Sequence, residues 1–261
     1  MNHTLELINN RKSIRNFADK KISNKNINTI IQSALRAPTA GNQMLYSIIE
    51  IDDQTIKNKL VKSCDDQPFI ASAPLVLLFL ADYQRTYDLF ISSGVEEYAK
   101  REGIDHRSPG VGDLMLASCD ALIAAQNTVL AAESLGLGSC YIGDIMENYE
   151  IHKELFDLPE YTFPITMLCY GYPVGNYIER KPTPRYPQEY IHFKNKYRKL
   201  DTSDFANMVK PIKDIYFKNE KFLGNAENIG QHFYTKKFTA DFTKEMNRSV
   251  QKALSEWSGL E

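Results

Sequence analysis

The apolar positions of this chain change their period several times, and the changes mark out interleaved helices and strands. Ile27, Ile30, Ile31, Ala34 and Leu35 recur at helical spacing and predict a helix over Asn24–Ala37, stopped by Pro38. A shorter helix is expected over Thr4–Asn10. Aliphatic runs at Tyr46–Ile51 and Leu75–Ala81 read as strands, the second opening just after Pro74, where a missing N–H does little harm. Gly112–Leu135 is the longest helical stretch, apolar around much of its circumference through Leu114, Ala117, Ala121, Leu122, Ala125, Val129 and Ala132, with Gly136 placed to cap it. Such a helix needs cover from its own sheet and from a second subunit. Asp120, Gln126, Asn127 and Glu133 interrupt it, so it reads as a buried helix and not a membrane span. Strands at Cys140–Ile142 and Ile165–Tyr170 enclose a helix near Ile151–Phe156. Further helices are expected near Ser203–Ile212 and Ala240–Trp257. This interleaving of short strands with long helices gives the class α+β.

Past Pro187 the chain becomes richer in Lys, Tyr, Phe and Asn, which suggests a main domain over 1–190 and an extension over 191–261 that packs on the core or on a partner. The 261 residues are 43% hydrophobic and 25% charged, enough for a full core without staples. The formal charge of -2 offers no basic field for nucleic acid, so any anion site must be local. Cys64, Cys119, Cys140 and Cys169 form no C-x-x-C pair, which reads as reduced, buried thiols. The first residues carry no apolar signal core, and a cytoplasmic protein is expected. Five scattered histidines show no metal-ligand spacing. G-x-G-x-x-G, P-loop, H-E-x-x-H and G-x-S-x-G patterns are absent, so a dinucleotide would not be held by a Rossmann fingerprint.

Four segments carry candidate chemistry. Arg11-Lys-Ser-Ile-Arg15 is a compact set of anion donors, with Arg11 and Arg15 on one face if the first helix continues through them. Taken alone it reads equally as a solvated basic helix end. Pro38-Thr-Ala-Gly-Asn-Gln43 is a loop of small residues that can lie against a planar ligand, or an ordinary turn. Gly138-Ser-Cys-Tyr-Ile-Gly143-Asp144 is a strand whose closing glycine permits close backbone approach, or a strand with one incidental glycine. Arg180-Lys-Pro-Thr-Pro-Arg185 holds cations on a proline-stiffened segment, or is a plain surface loop.

In their order along the chain these segments resemble the nitroreductase superfamily, and more closely its oxygen-insensitive NADPH-nitroreductase and flavin-reductase branch. The resemblance rests on Arg11, Ser13, Arg15 and Phe17; on Ala37, Pro38, Thr39 and Asn42; on Gln67 ahead of Ala73-Pro74; on Gly136-Leu-Gly138 with Tyr141-Ile-Gly143; and on Lys181, Pro182 and Arg185. Ala40 stands where many members have a hydroxyl residue, and the basic element is KPTPR where the family has K-P-R. The resemblance implies a mostly antiparallel sheet flanked by helices in an intertwined homodimer. It implies bound FMN, with NADPH or NADH as donor and a nitroaromatic, quinone or free flavin as the small-molecule acceptor, by a ping-pong route. Arg11, Lys12, Ser13 and Arg15 would hold the phosphate and pyrimidine edge, with Lys181 and Arg185 completing the phosphate site. Gln67 would bond the isoalloxazine rim, and Tyr141, Ile142, Gly143 and Asp144 would line the ring near its N5. Pro38, Thr39, Ala40 and Asn42 would come from the other subunit. The chemistry would sit on FMN, with no catalytic residue from the chain, no metal, no nucleic acid and no membrane. A flavin reductase supplying free reduced FMN and a non-catalytic FMN-binding sensor are the alternatives.

Overall fold

A computed structural model describes residues 2–177, 179–219 and 221–259. Its helices are α1 His3–Asn10, α2 Asn24–Leu35, α3 Gln54–Ser63, α4 Phe69–Ser72, α5 Gln84–Ser92, α6 Val95–Glu102, α7 Val111–Ser134, α8 Tyr149–Leu155, α9 Thr202–Tyr216, α10 Ile229–Phe233 and α11 Asp241–Ser258. The strands are β1 Tyr46–Glu50, β2 Leu75–Asp82, β3 Gly138–Ile142 and β4 Thr162–Gly171. They form one antiparallel sheet in the order β1-β2-β4-β3. The α+β class and the antiparallel sheet therefore stand as expected.

Every residue of β2 is buried, which is why it reads as an unbroken aliphatic run. Its two faces still alternate. Val76, Leu78 and Leu80 join Leu60 of α3 and Ile70 of α4, with Cys140, Ile142, Met167 and Cys169 beside them. Leu75, Leu77 and Phe79 point the other way, onto Ile30 of α2 and Ala125, Val129 and Ala132 of α7. Gly136, at φ 73, ends α7 in the left-handed turn expected of it.

Strand β4 begins earlier than its sequence suggests. Leu80 pairs with Pro164 and Phe79 with Thr166, so Ile165 is an extra residue in a bulge that tolerates the proline. Helices α3, α5 and α6 were not expected; their sequences are largely polar and each buries only one or two positions, Lys57 and Leu60 in α3, Thr86 in α5, Ala99 in α6. Cys64, Cys140 and Cys169 are buried as expected, but Cys119 is exposed, on the side of α7 turned from the sheet. All four are free thiols.

The chain divides into two compact units: residues through Arg180 together with those from Glu245 onward, and Lys181–Lys244. In the first unit the C-terminal part of α11 returns to the core. Ala253 and Trp257 pack with Tyr149, Tyr161 and Phe163, and the Trp257 ring meets Tyr161 edge-on at 5.7 Å. The second unit holds α9, α10 and an aromatic group of Phe217, Phe222 and His232. Trp257 is 1% exposed, so Trp257→Ala is expected to cost about 3–5 kcal/mol in chemical denaturation. A loss below about 1 kcal/mol, the size of an ordinary surface change, would show that this helix adds little to the core.

Candidate functional site

The first helix does not continue through the basic segment. It ends at Asn10; Arg11, at φ -56 and ψ 133, donates its N–H to Leu7 and leaves the helix. The following residues are extended. Ser13 bridges Ser139 of β3 in parallel, Ile14 N–H donates to Ser139 O at 2.9 Å, and Phe17 bridges Pro173. The cause is packing. Ile14 is 2% exposed, and a Cβ on Gly138 would lie 2.3 Å from it. A Cβ on Gly171 would lie 2.7 Å from the Phe17 ring. Two glycines thus let an extra stretch of chain lie against the strand ends. Arg11, Ser13 and Arg15 still share a side, through the two-residue period of extended chain and not through a helical turn. Their common neighbour is Cys140: burial raises its thiol pKa, and Arg15, Ser13 and Arg11 oppose that rise.

Three further groups fix this segment. Lys12 Nζ donates to Arg180 O at 2.6 Å, and Arg180 Nη2 returns a bond to Ser13 O at 2.7 Å. The Arg15 guanidinium lies 6.0 Å from the Phe69 ring centre. Burial raises the pKa of Glu133 of α7, and Arg11 and Lys12 oppose it. Arg180 and Glu133 were absent from the expected site. Glu133 had registered only as a break in an apolar helix, although a half-buried acid is costly unless nearby cations oppose its burial.

At the end of β3 the expected residues separate by side. Ile142 is fully buried in the core, leaving only its backbone to the site. The Tyr141 side chain turns toward α7, where its hydroxyl donates to Gln126 Oε1 at 3.2 Å; burial pushes its pKa up to about 12. Among the described residues, a Cβ on Gly143 would meet nothing within 4 Å, so the backbone there is open to close approach. Gln67 reaches the same turn, its Nε2 donating to Asp144 Oδ2 at 2.7 Å and to Cys64 O at 3.0 Å.

The loop holding Pro38, Thr39, Ala40 and Asn42 is held from two sides by opposite charges. The buried Asp120 of α7 accepts from Ala40 N–H at 3.0 Å and from Leu45 N–H at 3.2 Å. Arg85 donates to the carbonyls of Met44 and Tyr46 and to Ser47 Oγ. Gly41, Asn42 and Met44 adopt φ of 55, 57 and 53, a conformation that glycine and asparagine tolerate best. Asp120 and Glu133 are thirteen residues apart on α7, about 20 Å at the helical rise. Loop and basic segment thus sit toward different ends of one helix. Lys181 and Arg185 belong to the second unit, where both are exposed and Arg185 Nη1 donates to Thr183 O at 3.5 Å.

The arrangement suits a phosphorylated planar cofactor. It offers two guanidinium groups on one side of an extended segment, a half-buried amide, and a strand end whose glycine leaves the backbone open to close approach. Asp120→Ala removes the acceptor for two backbone N–H groups, at about 1.5–3 kcal/mol for bonds to a charged group. The expected result is a lower melting temperature with faster amide exchange at Ala40 and Leu45. Unchanged exchange there would show that the carboxylate does not hold the loop.

Comparison with known proteins agrees with this geometry. The Nitroreductase family model matches residues 8–172. An FMN reductase (NADPH) of Bacillus subtilis is 34% identical over 220 residues, covering 83% of this chain and 84% of that protein. An oxygen-insensitive NADPH nitroreductase of Salmonella typhimurium is 31% identical over 218 residues, with 83% of each covered. Among solved structures, the NADPH:FMN oxidoreductase of Vibrio harveyi complexed with NAD+ superposes at a TM-score of 0.77 with 26% identity, covering 97% of this chain and 98% of that one. The NfrA1 nitroreductase of B. subtilis does so at 0.78 with 28% identity, covering 96% and 98%. With the match spanning the basic segment, the loop, Gln67 and the whole sheet, this chain belongs to the nitroreductase family.

Proposed function

We propose that this protein is an FMN-dependent NAD(P)H oxidoreductase that acts as a cytoplasmic homodimer on small electron-poor acceptors. The observation that carries the reading is the strand-paired segment that sets Arg11 and Arg15 on one side, next to the open strand end at Gly143. Arg11, Lys12, Ser13 and Arg15 hold the phosphate and pyrimidine edge, where paired guanidinium donors suit an anion best. Gln67 bonds the ring system, and the backbone of Ile142, Gly143 and Asp144 lies against it, with Tyr141 behind. When bound, FMN supplies the redox chemistry, taking reducing equivalents from NADPH or NADH and passing them to the acceptor.

The homodimer has its own support. The loop of Pro38, Thr39, Ala40 and Asn42 and the basic segment are about 20 Å apart along α7, so each is expected to complete the other's site across two protomers. The same helix exposes Met115 (59%), Leu116 (50%), Leu122 (43%) and Ile123 (42%). An apolar strip of this kind on a helix otherwise packed on the sheet suits a subunit seam. A flavin-reductase role is favoured by the relative named FMN reductase (NADPH), and rates with free FMN against a nitroaromatic distinguish the two roles.

Purified protein is expected to carry FMN that bleaches on anaerobic addition of NADPH or NADH and recovers its colour with acceptor. A protein that binds FMN but is never bleached is a sensor. Gly143→Val gives a sharper test of the site. Its φ of -78 suits any residue, and nothing crowds a Cβ there. Stability should therefore change by less than about 0.5 kcal/mol while FMN affinity falls at least tenfold. Undiminished affinity would move the cofactor away from this strand end.

A further inference from the structure

The turn after β3 carries two carboxyl groups. Asp144 and Glu147 sit at the two ends of one 3-10 turn, joined by a bond from Glu147 N–H to Asp144 O at 3.0 Å, so the Asp144 carboxylate is a close neighbour of the Glu147 carboxyl and acts on it. Glu147 is 5% exposed, and its Oε1 finds no hydrogen-bond partner among the described residues. Two carboxylates can bond each other only through a proton, and a buried unpaired carboxylate oxygen is costly unless the group is neutral. Beyond Asp144 the chain of bonds continues to Gln67, whose Nε2 donates to Asp144 and to Cys64 O. Both partners are acceptors there, so the amide nitrogen must point inward, whichever way the amide is drawn. Gln67 Oε1 is left to face a ligand as an acceptor.

We propose that Glu147 is a positioning residue: its carboxylic acid donates to Asp144, Asp144 thereby holds the Gln67 amide, and Gln67 presents its oxygen to an N–H on the edge of the flavin ring. This rests on the FMN reading above. Removing the proton sets two carboxylates against each other in a buried turn, and Asp144 can no longer stay in place beneath Gln67.

The surroundings favour the neutral acid. Burial is the main cause that raises the Glu147 carboxyl to about 8, and Asp144, Asp65 and Glu245 add to it. Cys64 lies nearby at the end of α3, with its own thiol pKa raised by burial. His152 of α8, fully buried, contacts the Glu147 backbone and has its pKa lowered by burial; its ring bonds Ile145 O and Ser63 Oγ. Glu245 is itself paired with Arg248 of α11, which Glu150 also engages, so that cation is already neutralised. The sign follows from linkage. The folded pKa is above that of a free carboxyl, so the arrangement is complete at neutral pH and is lost as pH rises through about 8.

Glu147→Gln keeps an N–H donor toward Asp144 but cannot titrate. In the full-length protein without flavin, the infrared spectrum at pH 7 should show a protonated carboxylic acid band that Glu147→Gln lacks. Titrated with FMN from pH 7 to 9.5, the natural chain should weaken by up to about tenfold per unit above pH 8, whereas Glu147→Gln should not show this loss. An absent band, or an alkaline loss of equal size in both proteins, overturns the proposal. A chain that binds no FMN at any pH overturns the flavin reading instead, and the infrared band still decides whether the proton is there.

Discussion

The contact on which the rest of this structure depends is that between α7 and the β2–β4 centre of the sheet. It is made largely by alanines: Ala117, Ala121, Ala124, Ala125 and Ala132 are all fully buried. Small side chains let helix and sheet approach closely, and the backbone of α7 becomes a rigid rail under both parts of the candidate site. From that rail Asp120 holds the loop after α2, and further along Glu133 faces the basic segment. The same helix turns Met115, Leu116, Leu122 and Ile123 outward, so the element that spaces the two half-sites also offers the surface that would join two protomers.

Much of this was legible in the sequence where a single physical cause dominated. The aliphatic run of β2 declared itself because the whole strand is buried, and the long apolar stretch of α7 because it packs on the sheet along its length. The site motifs were legible as a series because each combines residues whose chemistry is restrictive: paired arginines, a small-residue loop, a glycine at a strand end. The nitroreductase resemblance drawn from that series agrees with a family match over residues 8–172.

What could not be read depended on contacts between distant residues. Arg11 and Arg15 are four apart, which suggested a helical face; only the fit of Ile14 against Gly138 and of Phe17 against Gly171 makes the segment extended. Pro164 hid the first half of β4, because a proline argues against a central strand until a bulge absorbs it. Asp120, Glu133 and Glu147 were the most informative misses. Asp120 and Glu133 are acids set in an apolar helix and Glu147 is an acid buried beside other acids, and each marks a place where polar groups must be satisfied. The signal that could have found them is the cost of an acid in an otherwise apolar stretch.

The central claim is that two protomers complete each cofactor site, and it is tested most directly by following flavin and mass together. In analytical ultracentrifugation over a dilution series, detected at a flavin wavelength, the account predicts that bound FMN sediments with a species of twice the chain mass and is released as that species dissociates. Stoichiometric FMN that stays with a single chain after dissociation would contradict it.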